Sequence, residues 1–277
     1  INKSINLIGE SYNNTHIEIL TFDDISKDCI IQIESENVII SSFTINPFDI
    51  LMHRTDGIRV FADNVKVIDN YIYNTVIGIY LKNSSNTEIK RNLLTNNKVG
   101  MSSYINTNNN LYENNNIVNN QEGGVSFFYE YDSEFIGNNF TQNNNFAVSL
   151  MRSENNSLKN NKINDSSQGG LRLENANNNE IINNEFNNNS GYGICIFSSN
   201  NNLIKENNII NHNVGINVSG DSKLNIVNNN YFEKNNNEII EKKANSNIKE
   251  SNQNIYVILV IIAIFIIIII LYFYKKK

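Results

Sequence analysis

The chain has 277 residues, a net charge of −6 and a pI near 5.2. That length holds one large domain or two ordinary ones, and the acidic balance excludes the basic face that a nucleic-acid binder needs. Two cysteines and three histidines exclude a disulfide-stapled mini-domain and a zinc-finger array. Apolar residues make up 40% and charged ones only 18%, so this is not a charged disordered chain. Asparagine (61) and isoleucine (45) together supply more than a third of it.

The chain starts at Ile1 without a basic stretch or an apolar h-region, as a processed or truncated start would. Residues 1–33 read as one or two short coils, and Asn37–Ile45 as the next. An insertion over Pro47–Arg54 follows. From Val67 one unit dominates: apolar-x-x-Asn-x-apolar-x-polar. Its Asn recurs as Asn70, Asn92, Asn115, Asn138, Asn161, Asn184, Asn207 and Asn229, with Phe43 at the equivalent place upstream. The steps are 22 or 23 residues. A second short strand follows each copy, usually after Gly, as in Gly78-Ile79-Tyr80-Leu81 and Gly170-Leu171-Arg172-Leu173. Its period-2 alternation marks a half-buried strand, and glycine is expected to supply positive φ at the corners.

A period near 23 has room for two or three strands of three to five residues and none for a helix. Each unit is too small to bury an apolar face alone, so units must stack. The fold that fits is all-β: a single-stranded parallel β-helix of about ten coils, a rod of ~50 Å at ~4.8 Å per rung. Stacked asparagines can then form a continuous amide ladder, and asparagine tolerates the left-handed conformation that corners require. Residues 1–240 form this domain, 241–254 a polar tether, and 255–274 (IYVILVIIAIFIIIIILYFY) one transmembrane α-helix. Lys275–Lys277 close the chain as a cytoplasmic basic tail. The expected location is the cell membrane, single-pass, with the β-helix outside. The alternative is a tail-anchored protein facing the cytoplasm.

Lys3-Ser4-Ile5-Asn6-Leu7-Ile8-Gly9-Glu10, the Asn copies and the Gly-Ile-x-Leu strands resemble the NosD-type right-handed β-helix repeat family, grouped with carbohydrate-binding and sugar-hydrolysing β-helices. The resemblance covers roughly residues 1–240 and implies a right-handed solenoid. The family includes a copper-enzyme maturation accessory protein, polysaccharide epimerases and lyases, and many surface proteins. The apolar C-terminus with Asn-rich coils is most similar to the surface proteins, which implies a noncatalytic adhesin-like or glycan-binding scaffold. The alternatives are an extracellular lyase, epimerase or hydrolase and, more remotely, a copper-maturation accessory protein.

The residues themselves give little chemistry. His53, Arg54 and Asp56 form the one local group with acid, base and cation in reach, beside the insertion. His16, His53 and His212 are far apart, as are Cys29 and Cys195, so no metal or cofactor is expected. Eight Asn-x-Ser/Thr sequons are no more than chance gives in so Asn-rich a chain. The best binding surface is aromatic. Alternation points Tyr80, then Tyr104 and Phe128, outward, and Tyr129, Glu130 and Tyr131 cluster at the adjacent corner. The expected partners are a lipid bilayer through residues 255–274 and a cell-surface glycan or protein, with no nucleic acid.

Overall fold

The computed structural model describes residues 1–19, 29–47, 55–242 and 245–248. Among them all regular structure is strand, and the strands pair in parallel into three sheets of, in the order the chain meets them, eleven, ten and eleven strands. The chain visits the first, second and third sheet in turn, then repeats one rung lower. Glu88–Lys90 of the first sheet, for example, pairs with Lys66–Ile68 above and Leu111–Glu113 below. This is a parallel β-solenoid. Residues 1–33 supply one coil, with strands Asn6–Ile8, His16–Ile19 and Cys29–Ile33. At the other end Asn245–Ile248 pairs with Lys223–Asn228, so the solenoid runs into the segment expected to be a tether. Residues 48–54, with His53 and Arg54, lie outside the described residues, as do the apolar run 255–274 and the terminal lysines. Among the described residues no helix is long and apolar enough to cross a membrane.

Most strands of the first two sheets are three residues long, with only the middle side chain buried. That is the out–in–out pattern of the apolar positions in the repeat. Ile89, Tyr112, Phe135 and Leu158 form one file of the core, and Leu94, Ile117, Phe140 and Ile163 a second. The third sheet buries two side chains per strand, as at Leu171 and Leu173. Mid-rod the core is aromatic: the rings of Tyr112 and Phe135 stack at 4.6 Å, with Phe127 tilted 5.0 Å from the first. Burying each such side chain contributes roughly 1.5–3 kcal/mol.

At most corners a residue with left-handed backbone precedes a polar residue that points inward; near the start of the rod the inward residue is apolar, as at Asn37-Val38 and Asn64-Val65. Asn160 has φ 58° and Asn183 φ 54°, and each is followed by a buried asparagine. The ladder these form is continuous. Asn161 Nδ2 donates to Phe135 O one coil back (2.8 Å) and to Asn184 Oδ1 (2.9 Å), while its Oδ1 accepts from the Asn138 backbone N–H (2.9 Å) and Nδ2 (3.0 Å). The same bonds link Asn70, Asn92, Asn115, Asn138, Asn161, Asn184 and Asn207. The last member is Asn230, not Asn229. Asn207 Nδ2 donates to Asn230 Oδ1, and Asn229 occupies the left-handed position before it (φ 54°). The whole final copy is shifted by one, with Val227 and Phe232 inward where Ile226 and Tyr231 were expected. In a period-2 strand such a slip exchanges every inner and outer side chain.

Two further ladders line the other corners. Thr75, Asn97, Asn120 and Asn143 form one, and Ser166, Asn189, His212 and Asn235 continue its file. Thr87, Asn110, Ser133, Asn156, Asn179, Asn202 and Asn225 form the other. The solenoid interior is therefore three apolar sheet faces separated by three hydrogen-bonded polar files. Backbone groups exposed by each turn are satisfied by side chains rather than left buried and bare.

His212 is the titratable member of these files. Its Nδ1 lies 2.9 Å from the Asn189 carbonyl oxygen and 3.2 Å from the Asn189 N–H, and its Nε2 lies 3.2 Å from Phe186 O. Burial holds its pKa below the ordinary value, with hydrogen bonds to the Asn189 and Phe186 carbonyls opposing. The unfolded chain therefore binds the proton more readily, and stability falls as pH drops below about 6.5 and through the lowered folded pKa. His212→Asn restores the amide present on the neighbouring coils. Urea midpoints measured from pH 7 to pH 5 should fall less in this variant than in the parent. Equal falls would refute the assignment.

The glycines that open the third-sheet strands do not have positive φ, contrary to expectation. Among the described residues only Gly137 and Gly220 do. Close approach selects the others: a Cβ at Gly170 would lie 2.6 Å from Gly193 O and 2.7 Å from the Phe186 ring. The positive-φ positions are filled mainly by asparagine.

Candidate functional site

The outer faces of the sheets differ in how their charges are arranged. On the first sheet, lysines and glutamates alternate and neutralise each other: Lys66–Glu88 (2.8 Å), Lys90–Glu88 (2.9 Å) and Lys90–Glu113 (3.2 Å) run down the rod. The third sheet and its turns carry Arg59, Lys82, Arg152 and Arg172, with Arg59 paired to Asp56 and Arg172 to Glu174, while Glu238 and Glu241 lie farther down the same sheet.

The third-sheet strands position the outward side chains in files. Ser102, Ser126 and Ser149 stand in one and Tyr104, Phe128 and Met151 in the next. The serine file is short, with Tyr80 in register one coil above it and Arg172 one coil below. At the end of the strand Tyr129 turns the chain with φ 59° and Arg152 does so one coil below with φ 50°. Neither residue type favours this conformation, and each costs of order 1 kcal/mol. The result is an open recess of about 270 Å³ lined by Tyr104, Phe128, Tyr129, Met151, Arg152, Glu174 and Asn175. Tyr104 meets Phe128 and Tyr129 edge-on, at 6.4 and 6.3 Å between ring centres. Arg152 donates to Tyr129 Oη (2.6 Å) with its guanidinium 5.8 Å from the ring centre. On the far side of the recess Glu174 pairs with Arg172.

The structure thus brings together Tyr104, Phe128 and Tyr129 of the six expected binding residues. Tyr80 lies on the same face but packs edge-on against Phe61 (6.1 Å), and burial raises its phenol pKa. Tyr131 lies beyond the turn, its backbone bridged to Glu154. Glu130 is not a surface residue. It is fully buried, and its Oε1 accepts from Ser133 Oγ (2.7 Å), Asn110 Nδ2 (3.0 Å) and Tyr112 Oη (3.0 Å). The left-handed residue Tyr129 resets the alternation, so Glu130 follows it inward. Strand alternation also places Met151 and Glu174 in the file of Tyr104 and Phe128, but it misses Arg152, whose signal is the 23-residue step from Tyr129.

Of the expected catalytic group only Asp56 is described. It is 4% exposed, its Oδ2 accepts from Arg59 Nε (2.7 Å) and its Oδ1 from the Ile77 N–H (3.2 Å). Both oxygens fix the start of a strand. Cys29 Sγ donates to Gln32 Oε1 (3.7 Å), and burial raises the pKa of the Cys195 thiol. Among the described residues no three His, Cys, Asp or Glu side chains are grouped to hold a metal ion.

A parallel β-solenoid is the class these features define. Residues 4–163 and 132–258 match the family described as the right-handed β-helix region, and the chain belongs to that family. No curated protein matches the sequence. Solved structures of similar fold include the A-module of the mannuronan C-5 epimerase AlgE4 of Azotobacter vinelandii, at 15% identity over 90% of this chain and 84% of that one, with a TM-score of 0.68. The periplasmic alginate epimerase AlgG is 15% identical over 79% of this chain and 61% of its own, with a TM-score of 0.56. The enzymatically active domain of tailspike protein 2 of bacteriophage CBA120 is 12% identical over 81% and 41%, with a TM-score of 0.64. The chain thus spans about three fifths of AlgG and two fifths of the tailspike chain. At these identities the likeness is one of fold.

Proposed function

We propose that this protein is a membrane-anchored cell-surface β-helix that binds a linear acidic polysaccharide along the outer face of its third sheet and does not process it. The observation that carries the reading is the recess of Tyr104, Phe128 and Tyr129 beside the guanidinium of Arg152. Aromatic rings stack on the apolar faces of sugars, and a guanidinium pairs with carboxylates. Rungs at ~4.8 Å repeat such contacts along a straight polymer. The NosD-type resemblance and the uncharged run 255–274 support display on an anchor.

A second reading, a polysaccharide-acting enzyme, is favoured by the names of the structural neighbours, which are alginate epimerases and an enzymatically active tailspike domain. Against it, both oxygens of Asp56 hold structure, and the raised phenol of Tyr80 is ionised near neutral pH even less than an ordinary tyrosine. The test is to pass the full chain, in mild detergent, over immobilised polyuronate and neutral glucan, assaying retention and released products together. Retention on polyuronate without products is expected. A Tyr104/Phe128/Tyr129 triple-alanine variant should bind at least about tenfold more weakly, a loss of ~1.4 kcal/mol. Shortened, unsaturated or epimerised products would establish the enzyme. Unchanged retention of the triple variant would move the site elsewhere.

A further inference from the structure

The last coil, like the first with Ile5, Leu7, Ile8 and Tyr12, exposes more apolar side chains than the coils between them. Leu224, Ile226 and Tyr231 are 58, 44 and 48% exposed, and the core ends on Phe232 and Ile239, both only partly buried. In the described residues no later strand covers Tyr231–Glu233 in the second sheet or Asn237–Glu241 in the third. Solenoids normally close such an end with a polar capping repeat. Here the end of the apolar interior is left at the surface, rimmed by further apolar side chains.

The chain itself indicates what covers this end. After the last strand, Asn245–Ile248, six residues lead to the uncharged run beginning at Ile255. Six fully extended residues reach at most about 20 Å. If residues 255–274 span a bilayer, the open end of the rod lies at its polar surface, a layer that favours tyrosine rings and partly buried apolar side chains. We propose that Leu224, Ile226 and Tyr231, around Phe232 and Ile239, bed into the lipid headgroup layer and hold the solenoid end-on to the membrane. This rests on the membrane-span reading. Lys223, Lys234 and Lys242 are offset by Asp221, Glu233, Glu238 and Glu241, so the contact is apolar and suits zwitterionic lipid.

The chain has no tryptophan, so a single introduced one reports its own surroundings. Tyr231→Trp, Tyr272→Trp and Tyr12→Trp variants of the full chain are reconstituted separately in phosphatidylcholine vesicles whose acyl chains carry bromine near the carbonyl end. Tyr12 is an exposed residue of the opposite end of the rod. The expected result is quenching at positions 272 and 231, with a blue shift of emission at 231, and none at 12. Quenching at 272 without quenching at 231 overturns the proposal and leaves the anchor standing. No quenching at 272 overturns the anchor and the proposal with it. Quenching at 12 as strong as at 231 shows a rod lying flat and overturns end-on seating.

Discussion

Asn161→Leu should lower the unfolding free energy by about 4 kcal/mol or more, although it places an apolar residue in the interior. The side chain of Asn161 makes four hydrogen bonds: two donated, to Phe135 O and Asn184 Oδ1, and two accepted, from the N–H and Nδ2 of Asn138. Leucine makes none. The Phe135 carbonyl and the Asn138 N–H stay buried in a fold that cannot admit water between rungs. An unmade buried bond costs about 1–3 kcal/mol, and at least two are left. Asn160, one residue earlier, is the control. It is a left-handed corner residue (φ 58°), so Asn160→Gly should be nearly neutral. Urea unfolding of the three proteins measures this. An Asn161→Leu variant as stable as the parent would mean that the amide file does not hold the coils together.

Gly170→Val should be as damaging for a different reason. The new Cβ would meet the Gly193 carbonyl oxygen at 2.6 Å, the Phe186 ring at 2.7 Å and Asn189 Nδ2 at 3.0 Å. The nearest contact is backbone of the adjoining rung, which cannot swing aside as a flexible side chain would. Overpacking of this kind costs about 3 kcal/mol or more, and β-branching removes the rotamers that could relieve it. The file contains one alanine, Ala147, which is fully buried. Gly170→Ala should therefore lose less than Gly170→Val. Thermal melts of the two variants test the ordering. A valine variant melting with the parent would show that the rungs at this position are farther apart than 2.6 Å contacts allow.

The sequence made the coil period plain because Asn70 to Asn207 recur between fixed apolar neighbours. The other two ladders were present at the same period, five residues after and five before the first, as Asn97, Asn120 and Asn143 and as Asn110, Asn156 and Asn179. They were hidden because they sit in asparagine runs. In Asn119-Asn120 one residue takes the left-handed corner and the next points inward, and the two roles favour the same residue type. The run Asn228–Asn230 concealed the last register for the same reason. Glu130 was misplaced because simple alternation fails across a left-handed residue, and Tyr129 is not a residue type that announces one. The recess was half legible. Its rings follow from strand alternation, but the pairing of Arg152 with Tyr129 depends on two successive corners having the same unusual geometry.

The central claim, that a linear acidic polysaccharide lies along the third sheet, is tested most directly by hydroxyl-radical footprinting of the full chain with and without polyuronate. Oxidation of Tyr104, Phe128, Tyr129 and Met151 should fall together, while the exposed rings of Tyr12 and Tyr231 react as before. Unchanged oxidation at the recess under conditions where the polymer is bound, or protection confined to the first or second sheet, would contradict it.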